Sequence, residues 1–397
     1  MQLQSVRKIL ALPPLHADPC LSTIYAPNML PGEALYVMGG HIDNGPSQPF
    51  GSKQRFADRI WRSAAQFGST DLQPSAANAT FFVGWSEPKE VVNRLTFPWM
   101  QNPETWLQTH KESFVGSVAS PSVVKIGNRY FMALAASIAD PNVCCGEHGF
   151  DNVYGSCNYP WSFFVMYWAT SNDGVNWTLQ RDPWRVPAQL DASTSMALDN
   201  SALFYYPNAD DRIVGVPGGP ECKGVAGASM LYDKSFGAYF WIMLKFWGSA
   251  GEKTPMVRVP VDLTKDAGHN FDFQCYDTNY ALWLTLKEGR LPRWLNDEKD
   301  RGQLFGPQGC AIAHTTKKQG FSFIATTDMG GGKFGVVYSN DLVTWPKSED
   351  VSGPTGAVLN PSYFEDAAGG HFVWAQQAPG CVQRPFYGLE VWQADLL

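Results

Sequence analysis

The stretch that decides the fold is residues 120–136, SPSVVKIGNRYFMALAA, followed at residues 166–177 by MYWATSNDGVNW. The first half of the first segment reads as an apolar strand that ends in a tight turn, and the second half reads as its hairpin partner. The later segment reads as a third strand, which an Asp-Gly turn joins to a short fourth strand. The pattern therefore predicts one antiparallel unit of about four strands.

The same order of strands can be traced five times along the chain. The innermost strands of the five copies are expected at residues 27–30, 120–126, 228–232, 311–314 and 361–364. Five such units predict an all-β fold, a five-bladed β-propeller with about four antiparallel strands per blade. We expect a single domain over residues 1–397, closed by the N-terminal segment, with blades near residues 20–110, 111–198, 199–285, 303–352 and 353–397.

Two segments depart from the repeat. Residues 199–219 contain two short apolar runs typical of an additional hairpin, which would belong to the second or third blade or form a sixth one. Five blades remain the prediction. In residues 281–299 we expect a short helix between blades.

Composition and charge exclude several classes of protein. With 44% hydrophobic and 17% charged residues and 24 Phe, the 397-residue chain is too apolar for a disordered protein and too poor in charge for a long coiled coil. A formal net charge of −7, without a basic cluster, indicates no nucleic-acid partner. No signal peptide and no membrane-spanning segment is recognisable, so we expect a soluble chain, cytoplasmic by default.

The quoted unit, and its later copy VVYSNDLVTW at residues 336–345, resemble the blades of the five-bladed glycoside hydrolases, family 43 and its relative family 32. The resemblance implies an axial funnel that holds a sugar against carboxylates of the first three blades, and inverting hydrolysis of the arabinofuranosidase or xylosidase kind. Inverting hydrolysis needs a general acid and a general base. In the register of the repeats, however, the carboxylate positions are occupied by Ala26, Ser122 and Ala226 or Gly227.

A second register supplies candidate catalytic carboxylates. Asp18, in ADPCL, resembles the start of the family's first blade and would be the base, and Glu221, in GPEC, would be the acid. Asp199 is a third candidate. The alternative is that all three are turn residues in loops rich in Pro and Gly, where carboxylates commonly cap turns.

Two insertions, at residues 41–58 and 137–162, interrupt blades between the second and third strands, so we expect them on one face of the propeller. Their aromatic and polar side chains suit stacking and hydrogen bonding to a sugar. The candidate substrate-binding residues are His41, Asp58, Asp151, Tyr159 and Trp161. The alternative for the aromatic residues is packing within their own loop.

Metal binding has weaker support. Cys144, Cys145 and His148 lie close together but lack a paired CxxC signature, so a loop disulfide or reduced thiols is favoured over zinc. His314 lies in an apolar strand, where a hydrogen-bonded core histidine is favoured over a metal ligand. The resemblance leaves an axial calcium ion as the one cofactor open.

The resulting prediction is a carbohydrate-active propeller that hydrolyses or binds a glycan in an axial funnel. The alternative is a catalytically inactive propeller that binds a glycan or a protein, which the missing carboxylates favour. A purely structural subunit is a third hypothesis.

Overall fold

The computed structural model describes residues 2–4, 24–43, 55–65, 86, 88–93, 96, 114–139, 161–179, 202–204, 223–248, 251–261, 273–286, 291–292, 294–298, 300–305, 309–330, 332–352, 359–366, 369–377 and 386–396. Strands in these ranges form the five blades of a β-propeller, whose innermost strands surround a central axis. The predicted all-β class and the count of five blades are therefore confirmed.

The first strand, β1 (Gln2–Gln4), stands apart from blade one. Blade one contains β2 (Ile24–Leu30), β3 (Ala34–Asp43), β4 (Arg55–Ala64) and β5 (Lys89–Val92), paired in chain order. Blade two contains β6 (Phe114–Ile126), β7 (Arg129–Ala139) and β8 (Trp161–Ser171), with β9 (Thr178–Leu179) and β10 (Ala202–Phe204) both paired to β8.

Among the described residues, blade three has the most strands. It contains β11 (Lys223–Tyr232), β12 (Tyr239–Gly248), β13 (Gly251–Lys253), β14 (Met256–Pro260), β15 (Gln274–Asp277) and β16 (Leu282–Thr285). Blade four contains β17 (Gly309–His314), β18 (Phe323–Gly330), β19 (Lys333–Ser339) and β20 (Lys347–Ser352). Blade five contains β21 (Leu359–Asp366), β22 (Gly369–Gln377) and β23 (Phe386–Asp395). β1 adds a fourth strand to blade five by pairing antiparallel with β23.

Both segments that depart from the repeat, residues 199–219 and 281–299, contribute strands to neighbouring blades. Ala202–Phe204 pairs with β8 as an outer strand of blade two, so it starts no sixth blade, and residues 205–219 lie outside the described part. The helix expected in residues 281–299 is only one turn, α1 (Trp294–Asp297). The expectation of a helix was wrong for β16, because Trp283 pairs across the sheet with Tyr276 at a ring distance of 5.1 Å.

The two insertions are shorter than expected. β3 and β4 remain paired as far as Asp43 and Arg55, and β7 and β8 as far as Ala139 and Trp161. The physical reason is that an antiparallel ladder satisfies the backbone groups of each added pair, so the hairpins extend beyond their apolar residues.

Aromatic side chains fill the spaces between blades. Phe240 of blade three lies 5.0 Å from Phe131 and 5.1 Å from Trp168 of blade two, measured between ring centroids. Phe236 and Phe323 join blades three and four at 5.0 Å. Each aromatic pair contributes about 0.5–1.5 kcal/mol beyond the apolar area that it buries. These contacts hold the innermost strands in a fixed arrangement around the axis.

The third strands of blades two and four end in the same turn. Ser171 Oγ lies 2.9 Å from Asp173 Oδ1, and that oxygen also accepts two backbone N–H groups. Ser339 and Asp341 repeat these contacts in blade four. Side chains that accept backbone N–H groups in this way specify the turn locally. The Ser-Asn-Asp pattern in the sequence therefore marks the predicted turn in both blades.

No helix within the described ranges is both long enough and apolar enough to cross a membrane.

Candidate functional site

The candidate site lies on the central axis, where each blade contributes one short residue from its innermost strand. The five axial positions are Asn28, Ser122, Ser229, Ala311 and Ser362. At these residues, or within two residues of them, the pairing of the innermost strand with its neighbour shifts register. A bulge redirects side chains and leaves backbone groups unpaired. The irregularity is thus repeated around the axis, at corresponding places in all five blades.

Side chains at the axial positions tie one blade to the next. Asn28 Oδ1 accepts a hydrogen bond of 2.9 Å from the backbone N–H of Val123. Ser122 Oγ accepts one of 2.7 Å from Met230, which is the residue after the axial position of blade three. The contacts therefore satisfy backbone N–H groups on the axial side of the innermost strands, where no further strand of the same blade pairs with them.

A hydrogen bond of the same kind, from a backbone N–H to an axial serine, joins blades three and four. Blades four and five are joined by a hydrogen bond of a different kind. Ser229 Oγ accepts a hydrogen bond of 2.9 Å from the backbone N–H of Ile312. Ala311, at the axial position of blade four, has no side-chain oxygen that could accept a corresponding hydrogen bond from blade five. Instead, Thr326 Oγ1 of blade four donates a hydrogen bond of 2.5 Å to the backbone carbonyl of Pro361 in blade five. The ring is therefore polar in four blades and apolar in one.

These residues surround a cavity of about 20 Å³, which is room for one water-sized group. The polar side chains that line it are Asn28, Ser120, Ser122, Ser229, Lys245, Asn360 and Ser362. Its described lining contains no carboxylate and no imidazole. The axial site is therefore polar, with one formally cationic group.

Lys245 reaches the axis from β12, the second strand of blade three. Its Nζ donates a hydrogen bond of 3.0 Å to Asn360 Oδ1 of blade five. A Cβ atom at Gly227 would lie 3.4 Å from Lys245 Cδ and 2.9 Å from Ser120 Oγ, so a glycine leaves space there for both neighbours. Asn360 and Ser120 both have a φ of 47°, a left-handed conformation uncommon outside glycine. The lysine is thus positioned by a close backbone approach on one side and an amide on the other.

Most of the predicted site residues lie outside the described residues. This is so for Asp18, Asp151, Tyr159, Asp199 and Glu221. Only the backbones of the other three are placed: His41 pairs with Ala57, Asp58 with Gly40, and Trp161 with Ala139. The roles predicted for these eight residues therefore stay predictions.

The structure describes the residues that stand at the carboxylate positions of the family in the register of the repeats. Ser122 lines the axial cavity, and Gly227 packs beside it against Ser120. Ala26 lies in β2. The positions at which the family resemblance places carboxylates thus include one hydroxyl at the axis itself.

His314 is hydrogen-bonded, as expected, but it is not a core residue. Its side chain is 42% exposed at the end of β17, and Nε2 lies 2.6 Å from Asp233 Oδ2 of blade three. Burial raises the pKa of Asp233, but hydrogen bonds from Ser235 and the neighbouring His314 outweigh burial and hold that pKa below its usual range. The pair joins blades three and four away from the axial cavity.

The described residues do not fit an axial calcium ion. Calcium binds six to eight oxygen ligands, usually including carboxylates. The cavity instead has Lys245 beside it, and the described ranges contain no group of three or more His, Cys, Asp or Glu side chains that could hold a metal ion. Cys275 and Cys310 are buried cysteines, and burial raises the pKa of Cys310 to about 11. Cys144, Cys145 and His148 lie outside the described residues.

Sequence reasoning missed the axial ring as a site, although a signal was present. Pro-Asn or Pro-Ser pairs occur at residues 27–28, 121–122 and 361–362, at the same place in three repeats. Lys245 and Asn360 carried no comparable signal, because they meet only when the ring of blades closes.

No protein-family model matches the chain, and no curated protein matches it in sequence. Among solved structures, it is similar to Zg3597, a family 117 glycoside hydrolase of the marine bacterium Zobellia galactanivorans, with a TM-score of 0.49 and 12% identity over 99% of this chain and 91% of that one. For a GH43_1 enzyme from Xanthomonas citri the TM-score is 0.45, with 8% identity over 98% and 89%. For an exo-1,5-alpha-L-arabinanase from a bovine ruminal metagenomic library it is 0.42, with 10% identity over 94% and 93%. Such identities assign no role to any residue of this chain.

Proposed function

We propose that this chain is a carbohydrate-active propeller that binds a glycan over the axial cavity. The observation that carries the proposal is the convergence of hydroxyl, amide and amino groups from four blades on one point of the axis. Ligand sites combine a preformed concave surface with a few precisely placed polar groups, and sugars present many hydroxyl groups to such partners. The five-bladed scaffold holds these groups in place through contacts between blades.

The size of the cavity limits how a sugar would bind. A cavity of about 20 Å³ is too small for a sugar ring, since it holds about one water-sized group. A single substituent of the sugar would therefore enter the cavity, and the ring would lie over its mouth. In this arrangement Ser362 and Lys245 contact the substituent.

Hydrolysis needs more than the axial ring supplies. Because the described lining contains no carboxylate, a general acid and base would have to come from elsewhere in the chain. We propose Asp18 as base and Glu221 as acid of an inverting reaction, with Asp199 as a further candidate. Glycan binding does not depend on these three assignments.

A binding experiment tests the proposed function. Wild-type protein is applied to a glycan array, together with Ser362→Val, which enlarges a cavity-lining side chain, and Ser348→Val, a matched change at an exposed position of β20. We expect wild type and Ser348→Val to bind the same glycans and Ser362→Val to lose them. If wild type binds no saccharide on the array, the proposal is wrong.

An activity experiment tests the catalytic assignments separately. Aryl arabinofuranosides, xylosides and galactosides are offered to wild type, Asp18→Asn and Glu221→Gln. Loss of turnover in both variants, with retained binding on the array, is expected for a base and an acid. Unchanged turnover in both would refute these roles.

A further inference from the structure

The axial cavity presents mainly hydrogen-bond donors. Ser122 Oγ and Ser229 Oγ each already accept a backbone N–H, so their hydroxyl protons remain to be donated. The side-chain oxygens of Asn28 and Asn360 each accept one hydrogen bond, and the NH₂ group of each side-chain amide brings two donors. A lining of this kind favours a ligand that accepts hydrogen bonds.

Ser362 adds a further hydroxyl to the lining of the cavity. The residue is 7% exposed, and no described residue forms a hydrogen bond with its hydroxyl group. The hydroxyl proton of Ser362 is therefore available to a ligand atom that accepts a hydrogen bond.

Lys245 gives the cavity its charge. A lysine amino group has three donors, of which one is used on Asn360. Within the described residues, no carboxylate lies within ion-pair distance of Lys245 Nζ. The chain as a whole has a formal net charge of −7, so attraction of an anion to this point would be local.

We propose that the axial cavity is an anion site that takes one carboxylate oxygen of an acidic sugar. This inference rests on the proposed function and names its ligand class, a glycan with a uronic acid unit. Lys245 pairs with the carboxylate, and Ser362 donates its hydroxyl proton to the same group. The features that disfavour calcium, an amino group and a set of donors, are those that favour a carboxylate.

Calorimetric titration of the full chain at constant ionic strength tests the inference. The probes are sodium glucuronate and galacturonate, the matched neutral sugars glucose and galactose, and sodium acetate as a free carboxylate. We expect the uronates to bind more tightly than the neutral sugars. Lys245→Met should weaken uronate binding by about tenfold or more, because hydrogen bonds to charged groups are the strong ones.

Two further variants separate binding from folding. Ser362→Ala removes a hydroxyl without a described partner, so it should fold as wild type and bind uronate more weakly. Lys333→Met, at an exposed position of β19, is the control and should bind as wild type. Equal uronate affinity in wild type and Lys245→Met would overturn the inference.

The remaining outcomes distinguish the two proposals. A neutral sugar bound as tightly as its uronate would overturn the anion site and leave the proposed function standing. Acetate binding that depends on Lys245, without uronate binding, would show a site for free anions and overturn the acidic sugar. Binding of no saccharide, here or on the array, would overturn both.

Discussion

Lys245 Nζ of blade three and Asn360 Oδ1 of blade five lie 3.0 Å apart, although 115 positions separate the two residues in the chain. Blade four lies between these two blades in chain order, and its axial residue, Ala311, offers no polar side chain. It therefore connects two blades that are not neighbours in sequence order and places a cationic group at the axis.

Asn360 provides a test of how much this connection contributes to stability. Asn360→Ala removes the amide and leaves a residue with a Cβ at a φ of 47°. We expect the free energy of unfolding to fall by about 1–3 kcal/mol. Asn360→Gly loses the same amide but tolerates the backbone conformation, so it should lose less. Urea unfolding of both variants measures the difference, and equal losses would contradict a backbone contribution.

A second prediction concerns the turn of blade two. Gly174 has a φ of 71°, and a Cβ there would lie 2.6 Å from the hydroxyl oxygen of Tyr36. That hydroxyl donates a hydrogen bond of 2.9 Å to the Gly174 carbonyl. Burial raises the pKa of Tyr36 to about 12, so the hydroxyl stays protonated and keeps this bond. Gly174→Ala should therefore destabilise the protein by about 2 kcal/mol or more, through backbone strain and the clash.

Gly127 is the matched control for Gly174. Its φ is 59°, but a Cβ at this position would have no atom within 4 Å. Gly127→Ala should therefore show only the backbone cost of about 1–2 kcal/mol. Thermal and urea unfolding compare the two variants. A smaller loss for Gly174→Ala than for Gly127→Ala would contradict the clash with Tyr36.

A third prediction uses the buried ion pair of blade three. Arg301 Nη2 lies 2.6 Å from Asp277 Oδ2, and the side chain of Asp277 is 1% exposed. Hydrogen bonds from Arg301 hold the pKa of Asp277 below its usual range despite burial. A lowered pKa means that this stabilisation is complete above the unfolded pKa of about 3.9 and is lost as the pH falls towards the folded value.

Arg301→Met should lower the free energy of unfolding at pH 7 by about 3–5 kcal/mol, because it leaves a buried carboxylate without its partner. The difference from wild type should shrink below about pH 4, where the carboxyl of the unfolded chain is protonated. Urea unfolding at several pH values measures this. Arg301→Met combined with Asp277→Asn is the control, and it should be less unstable than the single variant at pH 7.

A fourth prediction separates the two kinds of axial serine. Ser122→Ala removes the acceptor of the Met230 backbone N–H, so it should cost about 1–3 kcal/mol because that buried donor loses its partner. Ser362→Ala removes a hydroxyl without a described hydrogen bond and should change stability little. Equal losses in chemical unfolding would show that the two hydroxyl groups play the same structural role.

The fold was largely predictable because each blade is specified locally. Strand patterns act over a few residues and recur in the chain. The same holds for local turns such as Ser171–Asp173 and Ser339–Asp341. Local rules were wrong where packing between strands decided the outcome. Trp283, in the predicted helical segment, forms a strand because aromatic partners lie beside it.

The candidate site was predictable only in part. The sequence by itself determined five repeated units, a low charge content and the absence of carboxylates from one register of the innermost strands. Only the tertiary structure decided that Asn28, Ser122, Ser229 and Ser362 share one axis and that Lys245 reaches Asn360 there. The physical reason is that strand and turn preferences act between near neighbours in the chain, whereas the axial cavity forms from residues of different blades when the ring closes.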